Sequence, residues 1–514
     1  MARTSQGQGQ SVGVAVTASL VQAGHVDLRG EFSRAELGDV RLNARAAVIA
    51  ESAVRRPETS IPLFTGGSSG AEALYRFVNN DSVEVDELVS SHAQATVERS
   101  AGVGAGSCVL VVHDSTTFGY GKDTKRKGLG QTAAGGMGFM THVSLCIAEH
   151  SRVPFGVIAS RSWVRPSPYG DEDTLARRRP AAQQKQKPES GGPEDPEAPN
   201  ESRRWHEQAL SAGAQLEGIE HVHVADRESD GFKYLANLEL AGARFVTRVQ
   251  HDRKVGPREK LYGTMNTWSI RCTRTVSISR RGESTSPGAR KSYPAREGRE
   301  ASLEISAGVA EITRAQRQPA NLPKKLRLNY VLVHEVNVPD GLEPVVWRLV
   351  TNLPIDTPEQ VERIVDIYCA RWTVEEYFKA LKTGCSFNEH QLESYAALNR
   401  LLSVLLVSAW KLLEFKTIAR TQPEAPAEVV LTSRQITILR ALHDRQHPRA
   451  KLPALLTVKD AMFAVAALGG HFKQNGDPGW QLLGRGMRRL WEAEQDFETL
   501  TAMNATTNGA QTTN

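Results

Sequence analysis

"HVHVADRESDGFKYLANLELAGARFVTRVQ", residues 221–250, decides the fold class. It opens on a short run with β-branched residues that leads into Asp226, passes an intervening helix, and ends on "GARFVTRVQ", a further strand candidate. "SCVLVVHDSTTF", residues 107–118, is another apolar run, and it leads into Asp114. Strands alternating with helices fold as an α/β core. Such a sheet presents its chemistry at the C-terminal ends of its strands, which makes Asp114 and Asp226 candidate site residues. An aspartate in that position is also a common turn or cap residue.

Outward from this core, short strand-like runs between Thr267 and Pro354 predict an antiparallel sheet. Residues 165–202, rich in Pro, Gly, Gln and mixed charge, predict a disordered insertion. On the N-terminal side, "SRAELGDVRLNARAAVIAESAVRRP" predicts a basic helix that begins with a capping box at Ser33 and Glu36 and stops at Pro57. After Leu392 the pattern is mostly helical to about residue 500, and residues 501–514 read as a polar tail.

At 514 residues the chain has material for several domains. The net charge of +5 is modest but uneven. Between His251 and Tyr330 the bases far outnumber the acids, which points to a polyanionic partner, most simply nucleic acid. Five cysteines in no zinc spacing suggest reduced, buried thiols. No apolar stretch approaches the roughly 20 residues of a membrane span, and "MARTSQGQGQSVGV" lacks the order of a signal peptide. The expectation is a cytoplasmic protein without a membrane partner.

"YCARWTVEEYFKALKTG", residues 368–384, carries the densest chemistry. At roughly 100° per residue, Tyr368, Arg371, Glu375, Lys379 and Lys382 fall within an arc of about 80° of one helix, beside an apolar face. A carboxylate flanked by cations and a phenol suits a metal and a phosphate. Read alone, the stripe is equally a solvated helix side with i,i+4 pairs such as Glu375 with Lys379. Three carboxylates brought together (Asp114, Asp226 and Glu375) repel one another unless a cation sits among them. Oxygen ligands of this kind suit Mg²⁺ or Mn²⁺.

These residues carry a resemblance. Tyr368, Arg371, Glu375 and Lys382 follow the tyrosine-x2-arginine-x3-glutamate-x6-lysine signature of the bacterial insertion-sequence DDE transposases of the insertion sequence four family, which includes the transposase of transposon five. "HDSTTFGY" and "VADRESDGFKYL" resemble that family's first and second aspartate motifs, and "PVVWRLVTNLPID" resembles the strand before its signature helix. "GDVRLNARA" and "ALYRFVNN" are similar to its DNA-end-binding region, and "LGGHFKQNGDPGWQLLGRG" to its C-terminal domain.

The resemblance implies an RNase H-like mixed-sheet core with an antiparallel β insertion, flanked by helical N- and C-terminal domains. In this chain it implies an extension over 1–29, a DNA-end-binding domain over 30–95, the core over 96–250 and 346–392, the β insertion over 251–345, and a dimerisation domain over 393–500. It further implies cut-and-paste transposition through a hairpin intermediate. The triad Asp114, Asp226 and Glu375 would hold a pair of Mg²⁺ or Mn²⁺ ions. Trp347 would stack a flipped base, with Tyr368, Arg371 and Lys382 on the neighbouring phosphate. Lys379, Arg248, Arg41 and Arg45 join them as DNA contacts, and His142 aligns near the site. The partners implied are double-stranded transposon ends, target DNA and a second copy of the chain, in a nucleoid-associated setting. The other function class open on sequence is a DNA-binding derivative without turnover, domesticated or inhibitory. For His221 and His223, strand spacing also fits a metal pair. Trp347, between Val346 and Leu349, is otherwise a core residue.

Overall fold

The computed structural model of the chain describes residues 28–56, 60–104, 107–165, 201–278, 297–316 and 318–511. The expected extension before residue 28, nearly all of the expected insertion, and the bases Arg280, Arg281, Arg290, Lys291, Arg296 and Arg317 lie outside the described residues. The chain divides into two compact units: a sheet unit of residues 110–144 and 161–372, and a helical unit of the residues up to 109, 145–160 and from 373 on.

The first described elements are five helices, α1 (Leu28–Ser33), α2 (Val40–Arg55), α3 (Ile61–Phe64), α4 (Ser68–Val78) and α5 (Val85–Ala101). The capping box expected at Ser33 and Glu36 does not form. Ser33 instead closes α1, its hydroxyl donating to the Gly30 carbonyl at 2.9 Å. Gly38, at φ +73°, turns the chain in a conformation no helix can run through. α2 then starts afresh with Asp39 as its cap, whose carboxylate accepts from the Arg41 amide at 2.8 Å.

Ten strands form one mixed sheet among the described residues. They are β1 (Val109–Gly119), β2 (Gly130–Gln131), β3 (Met137–Ala148), β4 (Pro154–Trp163), β5 (His221–Ala225), β6 (Phe245–Arg248), β7 (Ile270–Ile278), β8 (Arg299–Thr313), β9 (Lys325–Val336) and β10 (Val346–Thr351). Their order is β2-β3-β1-β5-β6-β10-β9-β8-β7, with β4 on β3. β5 and β6 run parallel, joined by a crossover helix, while β6, β10, β9, β8 and β7 pair antiparallel in turn. The α/β core and the antiparallel strands read from sequence are both present, in the mixed sheet flanked by helices that an RNase H-like core calls for.

Helices α6 (Glu201–Gln215), α7 (Phe232–Leu240) and α8 (Leu261–Met265) pack on this sheet, and Trp205, Phe232, Leu235, Phe245, Tyr330 and Val350 share one core. α9 (Pro358–Ala370) packs over β5, β6, β7 and β9. Its start is specified locally: Thr357 accepts from the Gln360 amide at 3.3 Å, Gln360 reaches back, and Pro358 takes the first turn.

The helical unit continues with α10 (Trp372–Lys379), α11 (Tyr395–Thr421), α12 (Ser433–Gln446), α13 (Val458–Leu468) and α14 (Trp480–Gln511). α14 runs past residue 500, where sequence places a polar tail; a formed helix adds residues with one new hydrogen bond each, so a polar segment can continue it. α11 also corrects an expectation. It is long and apolar enough to cross a membrane, a property hidden in sequence by Arg400 and Lys411. Within its apolar window 78% is buried inside the protein, and Trp410 at its centre is wholly enclosed, the burial of a core helix.

A buried ionic cluster ties the helical unit together. Glu31 on α1 pairs with Arg99 and His92 on α5. His92 Nε2 accepts from the Val157 amide at 3.1 Å, so its proton sits on Nδ1, toward Glu31. The Arg99 guanidinium lies 4.1 Å from the Trp410 ring centroid, and Trp410 donates to the Pro154 carbonyl at 2.8 Å. Burial alone would raise the Glu31 carboxyl, but His92 and Arg99 outweigh it and hold it down at about 2.

Candidate active site

Side chains alternate across a strand, so registers decide which residues share a face. In the parallel pair, His223 aligns with Phe245, Val224 with Val246 and Ala225 with Thr247. Asp226 continues β5 in extended conformation, so it falls on the face of Val224 and Val246, and with Arg248. Across the antiparallel pair Arg248 aligns with Leu349, which puts Trp347, two residues back, on that face too. On β1, His113 bonds His223 across neighbouring strands, so Asp114 turns to the face opposite, that of Asp226. Four of the residues singled out in the sequence therefore share one face of the sheet, and α9 covers it.

One helical turn meets both aspartates. The Tyr368 hydroxyl donates to Asp226 Oδ1 at 3.2 Å, and Arg371, three residues on, donates to Asp114 Oδ2 at 3.2 Å. Asp114 also accepts from the Ser115 amide at 2.8 Å, which fixes its orientation. Trp347 meets Tyr368 edge-on at 5.8 Å, and Arg371 lies 5.9 Å from the rings of both Tyr368 and Trp372. Burial first, then the Asp226 carboxylate, pushes the Tyr368 phenol up to about 12, so it stays protonated as the donor. The nearby Arg248 and Arg371 guanidinium groups oppose that rise. Trp372, 55% exposed beside Arg371, is a residue the sequence reading passes over. Its only signal there is a bulky aromatic directly after the arginine.

The stripe is not one uniform helix. At Arg371 the backbone bonds back to Tyr368 rather than to Ile367, α10 begins at Trp372, and a π turn follows over Ala380–Gly384. The arc drawn at 100° per residue is thereby broken, at a kind of irregularity that recurs at functional sites. Glu375 lies half-buried on α10, in the helical unit. Its neighbour Glu376 is taken up structurally: Lys379 donates to it at 2.6 Å and the Trp480 indole at 3.2 Å. Lys379 is 52% exposed, and burial pulls the Lys382 ammonium below its ordinary value.

Neither histidine of the "HVH" pair is arranged as a ligand. His221 Nδ1 donates to the Ile219 carbonyl at 2.8 Å, and His223 Nδ1 bonds His113 at 2.9 Å. His142 bonds the Ser115 hydroxyl at 2.8 Å. Burial pushes His142 and His223 down to about 3. Among the described residues no three metal-binding side chains gather into one group. The donor chemistry of Asp114 and Asp226 nevertheless fits a hard cation: both are oxygen donors on neighbouring strands, neither fully buried.

Comparison with known families places this geometry. Residues 28–83 match the transposase DNA-binding family, and residues 198–410 match the transposase DDE domain. By these domains the chain belongs to the DDE transposase superfamily. Such enzymes bind and cleave DNA, and generally use divalent metal ions. Asp226 and Glu375 lie within the matched DDE span; Asp114 lies before it. In the matched DNA-binding span, α2 exposes Val40, Arg41, Ala44, Arg45 and Val48, a single stripe at helical spacing, so Arg41 and Arg45 stand on an open face of the transposase. A solved piggyBac transposase synaptic complex with hairpin DNA matches over 96% of this chain and 73% of that one, at 9% identity and a TM-score of 0.35, a likeness that carries no further argument.

Proposed function

We propose that the chain is a cut-and-paste transposase of the insertion sequence four type, similar to the transposase of transposon five, with Asp114, Asp226 and Glu375 as its catalytic carboxylates. The observation that carries this reading is the turn Tyr368–Arg371, itself within the matched DDE span, which reaches Asp226 inside that span and Asp114 before it. Asp114, Asp226 and Glu375 would hold Mg²⁺ or Mn²⁺, and a pair of such ions clamps the attacking and leaving oxygens of an in-line phosphoryl transfer. The DNA reactions are then one nick at the transposon end, attack of the freed 3′-OH on the opposite strand to form a hairpin, opening by water, and joining to target DNA.

The chain's own side chains hold the DNA through these steps. Arg371 and Lys382 neutralise the phosphate beside the bent end, Tyr368 orients Asp226 and donates only, and Arg248 steadies Tyr368. Lys379 adds an exposed cation. Trp347 offers a ring for a base flipped from the hairpin tip. Arg41 and Arg45 on the open face of α2 contact the element's terminal repeat, and the bases of the β insertion add sequence-independent affinity. Pairing of two ends calls for a homodimer, with residues 393–500 as the dimerisation region.

Trp347→Ala separates these roles. Nicking should persist at near the unmodified rate, while hairpin formation slows by roughly 10- to 100-fold, for a stacking contact worth about 1–3 kcal/mol. A time course on labelled end duplex, resolved on a denaturing gel, distinguishes the products. Equal loss of both would make Trp347 a packing residue and remove the base-stacking part of the reading.

A further inference from the structure

Behind the two aspartates, on the opposite face of the sheet, lies a chain of buried polar groups that the proposed mechanism does not use. Gln208 on α6 donates its amide hydrogens to the His142 carbonyl at 3.2 Å and to the Ser144 hydroxyl at 2.9 Å. Ser144 Oγ is 2.8 Å from His113 Nδ1, and His113 Nε2 is 2.9 Å from His223 Nδ1. His113, His223 and Ser144 are completely enclosed.

The direction of these bonds follows from counting hydrogens. Ser144 accepts from Gln208, and among the described residues its own hydrogen has only His113 Nδ1 to go to. His113 therefore carries its proton on Nε2 and donates it to His223 Nδ1. That leaves the His223 proton on Nε2, a buried group without a partner, facing α6 where a methyl on Gly213 would come within 3.1 Å of it. A buried N–H left unsatisfied costs about 1–3 kcal/mol. A simple apolar pair between β1 and β5 would avoid that cost, so the bond does something packing alone does not.

Position says what. His113 precedes Asp114 on β1, and His223 lies three residues before Asp226 on β5, the neighbouring strand. Ser115, on the other side of Asp114, bonds His142, so β1 is held on its rear face at both flanks of the aspartate. Hydrogen bonds are directional and fix a separation that dispersion contacts leave soft. We propose that His113 and His223 are positioning residues: their bond, oriented from Gln208 through Ser144, sets the spacing of β1 and β5 and so the separation of Asp114 and Asp226.

This rests on the proposed role of the two aspartates, and the test keeps the two apart. Four full-length variants are compared with the unmodified chain for cleavage of end DNA under saturating DNA and for end-DNA Kd: His223→Phe, which keeps a ring but removes the acceptor; His223→Asn, whose Oδ1 replaces Nδ1; Ser144→Ala, which frees the orientation of His113; and Asp114→Asn. His223→Phe is expected to cut about ten- to a hundredfold more slowly at unchanged Kd, the effect of misplacing reacting groups by a fraction of an ångström to 1 Å. His223→Asn should recover most of that rate, and Ser144→Ala should lose part of it. Cleavage by His223→Phe at the unmodified rate, or equal loss in the Phe and Asn variants, overturns the proposal. If His223→Phe fails to fold, an unchanged cleavage rate in Ser144→Ala overturns it instead. Normal cutting by Asp114→Asn would overturn the catalytic reading itself, whatever the histidine variants do.

Discussion

Asp114→Asn and Asp226→Asn are each expected to lower DNA cleavage by on the order of a thousandfold or more while binding to end DNA stays within about threefold of the unmodified chain. Both exchanges are near-isosteric. In Asp114→Asn the side-chain carbonyl would still accept from the Ser115 amide while the ion pair with Arg371 is lost, and in Asp226→Asn the carbonyl would still accept from the Tyr368 hydroxyl. What disappears is one negative charge at each position, and with it the hard oxygen ligand a divalent ion requires. DNA affinity rests instead on cations and on the open face of α2, which neither exchange touches. Anisotropy with labelled end duplex measures binding, and product formation with Mg²⁺ measures cleavage. A variant that binds and cuts like the unmodified chain would mean that its aspartate is a structural residue only.

The largest expected effect on stability lies far from this chemistry. Arg99→Ala should destabilise the helical unit by roughly 3–5 kcal/mol, because it strips the guanidinium from a Glu31 carboxylate that stays buried. It also removes the guanidinium stacked on Trp410. Glu31 predicts a pH dependence as well. Its folded value of about 2 lies below the ordinary 4.5, so its contribution is fully present above pH 4.5 and is lost as pH falls toward 2. That difference corresponds to roughly 3 kcal/mol at neutral pH. Urea unfolding of the full chain at pH 7 and across pH 5 to 2 provides both readings. Glu31→Gln should flatten the acid limb. An Arg99→Ala midpoint matching the unmodified chain would show that the cluster is energetically idle.

How far the sequence reaches is clearest at individual residues. Asp114 and Asp226 were legible as residues that follow an apolar run long enough to be a buried strand, but only Asp226 stands at a strand end as expected; Asp114 lies within β1, which continues to Gly119. Their shared face was not legible, since it depends on strand registers such as His223 with Phe245, which pair residues distant in sequence. The false capping box at Ser33 and Glu36 has a local origin: the residue types were right, but Gly38 turned the chain and the helix restarted at Asp39. Glu375 and Glu376 look alike in sequence beyond their angle on a helix. One partner of Glu376, Trp480, comes from a segment 104 residues away in the chain. The Ser144–His113–His223 chain is invisible for the same reason, being assembled from β3, β1 and β5.

That adjacent pair of glutamates offers the most direct measurement of the central claim, that Asp114, Asp226 and one glutamate of the signature helix act as a single catalytic set. Glu375→Gln and Glu376→Gln are to be compared side by side for Mg²⁺-dependent cleavage of end DNA, with thermal unfolding as the control for folding. The account predicts that Glu375→Gln binds end DNA but cuts it on the order of a thousandfold more slowly. Glu376→Gln should melt earlier, having weakened its bonds to Lys379 and Trp480, yet still cut. Full cleavage by the Glu375 variant, with loss confined to the Glu376 variant, would contradict the account.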